Sequence, residues 1–246
     1  MSRLLSTLLL VAATACLNSC STPGGNADFT VRKDVVFTPA SWPAPLVADF
    51  YRPQSASPTA AVLLIHGGGW SGTERRPDMA GIARNLARRG YLVKNTTYRL
   101  TPQWQFPAQK IDIDEALRHM RANAVALNLD PQRIATFGYS AGGHLAALAG
   151  LDPRNDIRAI VAGGAPSNLA LWPDGQLTGL LLGGPLSGNE AAYHEASPVT
   201  HVSPESPPVF REVHCAFGFP QAGRWSAGYL SAFMVSDSAP PRSLDT

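Results

Sequence analysis

Charge is scarce in this chain. Of its 246 residues 15% are charged, the formal balance is +2, and no run of Lys or Arg stands out. Polyanions are held by clustered cations, so the composition argues against nucleic acid as a partner. Lysine is reduced to Lys33, Lys94 and Lys110, and cysteine to Cys16, Cys20 and Cys215. With Cys215 alone beyond the first 20 residues, no internal disulfide framework can form. A nucleotide-binding glycine fingerprint and an internal repeat are both missing.

The N-terminus reads as a targeting segment. Arg3 supplies a positive start, and Leu4 to Ala15 is an apolar stretch too short to span a bilayer. Cys16 and Cys20 both sit in contexts resembling a bacterial lipobox. Cys20, with Leu17 at −3 and Ser19 at −1, is the stronger lipidation candidate; Cys16 has Ala13 at −3. The expectation is an exported protein of the periplasm or cell envelope, touching membrane only through an N-terminal lipid. An ordinary cleaved signal peptide is the alternative. The division expected is a leader over 1–20, a linker over 21–28, an α/β domain over 29–210 and a tail over 211–246.

From Phe29 onward, β and α patterns alternate, which predicts a mostly parallel central sheet flanked by helices. Phe29–Thr38 and Leu46–Tyr51 read as an opening hairpin. Ala60–Ile65 is a short apolar run suited to a strand buried on both faces. Pro77–Arg89 carries helical periodicity ending at Gly90, and Tyr91–Arg99 reads as the next strand. Ala108–Leu127 is a long amphipathic helix, Ile134–Phe137 a strand, His144–Gly150 a helix and Ile157–Gly164 another strand. A Gly/Pro-interrupted segment, 165–206, holds Trp172, Leu177 and Leu180–Leu182 as candidate cover for an apolar pocket. Pro207–Phe210 starts a further strand.

Two motifs carry chemistry. Gly138-Tyr139-Ser140-Ala141-Gly142 lies between a strand and a helix, where a serine on a sharp turn is thrust out above the sheet. The helix that follows aims its N-terminal N–H groups at the same place. Ile65-His66-Gly67-Gly68-Gly69-Trp70 follows the Ala60–Ile65 strand and offers bare backbone N–H groups. It lacks the Lys-Ser/Thr of a phosphate loop. Such donors suit the oxyanion of acyl transfer, and the elbow adds the N–H of Ala141.

These motifs, with Tyr98-Arg99-Leu100-Thr101-Pro102, Phe106-Pro107-Ala108, Asp130-Pro131 before Arg133-Ile134, and Ala196–Val202, resemble the α/β-hydrolase carboxylesterases. The nearest branches are the hormone-sensitive-lipase-like and the feruloyl or acetyl-xylan-esterase-like groups. The resemblance runs from about Val35 to Phe210. It implies an α/β-hydrolase fold, Ser140 as nucleophile, and Gly68, Gly69 and Ala141 as oxyanion donors. The implied substrate is a small-molecule or polysaccharide-linked ester, with a formamidase-type amide as the enzymatic alternative. No cofactor or metal is implied.

The family's triad acid and histidine are not found after Phe210. Val213-His214-Cys215 echoes an expected Val-His-Gly, no histidine follows His214, and Asp237 and Asp245 are the acidic residues beyond Glu212. The reading is that the final strand and helix are missing through a frameshift or truncation near Phe210. A catalytically defective or non-catalytic surface lipoprotein is therefore the rival to an esterase. His66, His144, His194 and His201 are expected to be structural, and His119 to lie on the exposed side of its helix. Asp112 and Asp114 read as a solvated helix start, Arg75-Arg76 and Arg88-Arg89 as exposed charges, and Trp104 and Trp172 as packing or pocket wall.

Overall fold

The computed structural model describes residues 27–210. Cys16, Cys20, His214, Cys215, Asp237 and Asp245 lie outside the described residues, and with them the expected lipidation site and the segment in which the final strand and helix were expected to be missing.

Strands β1 (Phe29–Val36), β2 (Val47–Pro53), β3 (Thr59–Ile65), β4 (Leu92–Thr96), β5 (Leu129–Tyr139), β6 (Ala159–Gly163) and β7 (Val209–Phe210) form one sheet, ordered β1-β2-β4-β3-β5-β6-β7. The hairpin β1–β2 and the β2–β4 pair are antiparallel, and every pairing from β4 to β7 is parallel. Parallel neighbours need crossovers, and helices supply them. These are α1 (Ala80–Arg88), α2 (Ala108–Ala122) with the short α3 (Ala124–Leu127), α4 (Ala141–Leu151), and α5 (Gln176–Leu182) with α6 (Glu190–Glu195).

Strand β3 is buried on both faces, as its unbroken apolar run predicts. Ala61, Leu63 and Ile65 pack in one core cluster with Ile113 and Leu117 of α2 and Leu145 and Ala149 of α4. Val62 and Leu64 point to the other face by the period of two and are just as buried. There α1 closes the second layer, resting Ala83, Leu86 and Ala87 against β2 and β4. Each Leu or Ile so buried contributes roughly 1.5–3 kcal/mol of transfer free energy.

Strand β5 begins earlier than the expected Ile134. Its register against β3 shifts between Thr59 and Ala61, and the continuous ladder then pairs Ala61–Ile65 with Ile134–Gly138. Ile65 and Gly138 are thus partners, so β3 and β5 end side by side and the two chemical motifs emerge next to each other. Helix α4 is buried at every residue. A helix apolar all round belongs in a core rather than on a surface.

Three expectations fail here, all for one reason: a face that looks solvent-exposed by spacing is covered by a distant segment. Asp112 is fully buried and paired with Arg99, Nη2 to Oδ1 at 2.7 Å. Arg76 is buried, bonding Asp49 at 2.8 Å, Asp34 at 2.6 Å and Glu74 at 3.3 Å. His119 lies half-buried between the rings of Phe37 (6.1 Å) and Phe50 (6.0 Å), because the β1–β2 hairpin folds over α2. Burial, then the charge of Lys94, lowers its pKa to about 4.

Candidate active site

Ser140 stands between β5 and α4 with φ 54° and ψ −122°, a positive φ at a non-glycine residue. Such a conformation costs about 1–3 kcal/mol and persists only when its surroundings enforce it. Here they do. The Ser140 N–H donates to the Gly163 carbonyl at 2.8 Å, and the His144 N–H donates to the Ser140 carbonyl at 2.9 Å. Close packing completes the turn. A Cβ on Gly138 would lie 2.1 Å from the Gly142 oxygen, and one on Gly142 would lie 2.2 Å from the Ile65 oxygen. Both glycines are required because backbone meets backbone.

The glycine loop after β3 runs directly past this turn. A Cβ on Gly67 would lie 2.8 Å from the Tyr139 oxygen and 3.4 Å from the Ser140 Cβ. Gly68, Gly69 and Trp70 follow with φ of 111°, 62° and 57°. Two hydrogen bonds set the loop's peptide planes. His66 Nδ1 meets the Gly67 carbonyl at 2.7 Å, and the Ser71 N–H donates to the Gly68 carbonyl at 3.2 Å. In a planar trans peptide the N–H points opposite to the C=O, so each bond turns the next N–H, of Gly68 and of Gly69, to the other edge. A carbonyl only accepts, so His66 carries its proton on Nδ1. Its ring stacks on Tyr98 at 4.4 Å, and the Tyr98 hydroxyl donates to the His66 carbonyl at 3.0 Å.

A cavity of about 310 Å³ opens beside the serine, walled by Gly69, Trp70, Ser140, Ala141, Trp172 and Leu177 among others. Gly69 and Ala141 thus share a wall with Ser140. Gly68 is not part of that wall; its α-carbon faces the Arg75 side chain. Of the expected apolar cover, Trp172 and Leu177 line the cavity, each being 47% exposed, whereas Leu180–Leu182 do not, Leu181 and Leu182 being buried in the core. Gln176 and Thr178, also on the wall, gave no sequence signal, since polar residues in a Gly/Pro-broken segment read as loop.

His144 ties the site together. A tryptophan N–H can only donate, so Trp70 Nε1 gives its proton to His144 Nδ1 at 3.2 Å, and Nε2–H donates to the Ala196 carbonyl at 2.7 Å. One neutral ring thereby links the glycine loop, the nucleophile helix and the segment after α6. Burial lowers its pKa from 6.5 to about 4. Between those values the unfolded chain binds a proton that the folded one refuses, so stability falls as pH drops through that window. His119 titrates over the same range. His144→Gln, which can keep both bonds, should therefore reduce rather than abolish the acid-side slope of unfolding free energy measured by urea titration from pH 7 to 4.5.

Among the described residues no imidazole is hydrogen-bonded to Ser140. His201 is spent on the Glu195 carbonyl at 2.7 Å and His194 is exposed. His214 lies outside the described residues. No group of His, Cys, Asp and Glu able to hold a metal occurs among the described residues, and no helix there is long and apolar enough to cross a membrane.

Residues 48–214 match the family model BD-FAE, well over half of the chain. The chain belongs to the BD-FAE family. Similar proteins include the probable carboxylic ester hydrolase LipM of Mycobacterium tuberculosis, 31% identical over 62% of this chain and 40% of its own length. The ethyl acetate hydrolase of Pseudomonas putida is 41% identical over 40% of this chain and 32% of its own. The chain thus spans less than half the length of these curated relatives. Among solved structures, an esterase of Pyrobaculum calidifontis superposes with a TM-score of 0.62 at 25% identity, over 77% of this chain and 67% of that one. The BD-FAE match and these esterase neighbours show the α/β-hydrolase fold that the motifs implied.

Proposed function

We propose that this BD-FAE chain is an exported carboxylic ester hydrolase that works through an acyl-enzyme on Ser140. The observation that carries the reading is the strained serine sharing one cavity with Gly69 and Ala141. In this mechanism the Ser140 hydroxyl attacks the ester carbonyl, and the oxyanion that forms is met by the N–H groups of Gly69 and Ala141, with Gly68 beside them. The tetrahedral adduct collapses with cleavage of the ester C–O bond, and the alcohol leaves with a proton equivalent to the one serine gave up. Water then hydrolyses the acyl-serine to the carboxylic acid and free Ser140. The cavity lies at the small end of ligand pockets, which favours short acyl groups on small molecules or projecting from a polysaccharide. The similarity to an ethyl acetate hydrolase supports the same size class. Export and a lipid on Cys20 rest on the leader pattern, and labelling with radioactive palmitate, lost in Cys20→Ser but not in Cys16→Ser, tests them.

A second reading has its own observation. Ser140 lacks an imidazole partner among the described residues, which favours a defective or non-catalytic protein that keeps the fold. Turnover of p-nitrophenyl acetate and butyrate by purified protein and by Ser140→Ala separates the two. An esterase should turn over at about 1 s⁻¹ or faster and lose at least about a thousandfold in Ser140→Ala. Oxyanion donors and binding alone can leave about 10³-fold catalysis over water, so equal slow rates in both proteins would establish the defective reading.

A further inference from the structure

Leu177 occupies a position that the reaction scheme does not yet use. It sits in the first turn of α5, and its side chain lies against the glycine loop. A Cβ on Gly69 would meet Leu177 Cδ1 at 2.9 Å and Cδ2 at 3.2 Å. The same side chain lines the cavity that holds Ser140. It therefore joins the covering segment to the glycine loop at the wall of the cavity that holds Ser140.

The backbone beneath it is held. Thr178 Oγ1 donates to the Trp172 carbonyl at 3.0 Å or the Gly175 carbonyl at 2.9 Å. The Phe106 N–H donates to the Leu181 carbonyl at 2.8 Å, and Leu181 is fully buried in the core. With the helix pinned from behind, space beside Gly69 changes through the side chain at 177 and not through movement of the helix. At 47% exposure that side chain is also a weak contributor to folding.

We propose that Leu177 is the specificity-determining residue that limits the chain length on one side of the ester. The inference rests on the esterase reading above. Its isobutyl group fills the place where a longer alkyl chain would pass between Gly69 and α5. Shortening it to alanine removes three carbons from the wall and admits about that much more chain. A phenylalanine closes the same passage further.

The test measures labelling of Ser140 by p-nitrophenyl alkylphosphonates, read by intact mass. Serine Oγ forms a bond to phosphorus, the phosphorus–oxygen bond to nitrophenol breaks, nitrophenolate leaves with the electron pair, and the serine proton goes to solvent. One reagent series lengthens the alkyl on phosphorus from methyl to octyl, and the other lengthens the alkoxy group over the same range. In one of the two series, Leu177→Ala should raise the octyl-to-butyl rate ratio about tenfold or more, and Leu177→Phe should lower it, since a methylene in a pocket is worth roughly that discrimination. Labelling with identical length profiles in all three proteins would overturn the role of Leu177 and leave the esterase reading intact. No labelling of wild-type Ser140 by any reagent, with Ser140→Ala as blank, would overturn the esterase reading and this inference together.

Discussion

Gly142→Ala should be among the most damaging single-methyl additions available to this protein. The new Cβ would sit 2.2 Å from the Ile65 carbonyl oxygen and 2.5 Å from that of His66. Ordinary overpacking costs about 1–3 kcal/mol because side chains can yield. Here both opposing atoms are backbone, one at the end of a central strand locked into parallel pairing with β4 and β5. Either α4 withdraws from the sheet or the strand end withdraws from the serine. The expected loss is on the order of 4 kcal/mol or more, in the range reserved for disrupted cores. If enough fold survives to assay, the separation of His66–Gly69 from Ser140 should still cost activity, since about 1 Å of misplacement can cost on the order of 10²-fold. Urea denaturation compared with Gly81→Ala, where an added Cβ meets nothing within 4 Å, checks the first part. A cost within about 1 kcal/mol of that control would show that the turn can relax.

The damage would fall on the part of the molecule most legible from its residues. An apolar strand run before Ser140, a helix after it and glycines around it are local properties, and local geometry imposes the turn. Most strands and helices lie where local pattern puts them for the same reason, but α5 and α6 form inside the Gly/Pro-interrupted segment that reads as irregular, and β5 starts at Leu129 rather than Ile134. What spacing did not reveal was pairing across the chain. Asp112 reads as solvated from its place at a helix start, and Arg99 of the Tyr98–Pro107 segment together with Trp42 covers it. Arg76 is held by Asp34 and Asp49 of the hairpin of β1 and β2, 42 and 27 residues earlier in the chain. His119 is covered by Phe37 in the same way. Arg99 within the Tyr98–Pro102 motif was the available signal: an arginine in so charge-poor a chain asks for a carboxylate partner, and Asp112 was a candidate.

That pair supplies the second large effect. Asp112 accepts from the Arg99 N–H at 2.8 Å, from Arg99 Nε at 2.9 Å and from Trp42 Nε1 at 2.9 Å. Arg99 in turn lies 5.0 Å from the Trp104 ring centre and 5.9 Å from that of Trp42. Asp112→Ala would leave a guanidinium that is 7% exposed with no counter-charge, and three donors with no acceptor. Removing one member of a buried pair costs about 3–5 kcal/mol, far above the 0–1 kcal/mol of a surface bridge such as Arg75–Asp78. Replacing both members, Arg99→Met with Asp112→Leu, should recover much of that loss, because no charge is then stranded. The loss should extend to the site, since Arg99 follows Tyr98, whose hydroxyl holds the His66 carbonyl at the root of the glycine loop. A double-mutant cycle by urea denaturation measures the coupling. A cost below about 1 kcal/mol for Asp112→Ala would mean that water reaches Arg99 and that the pair is not sealed. Recovery in the double variant without return of ester turnover would locate the pair's second role in aiming Tyr98, a role that unfolding free energy alone does not register.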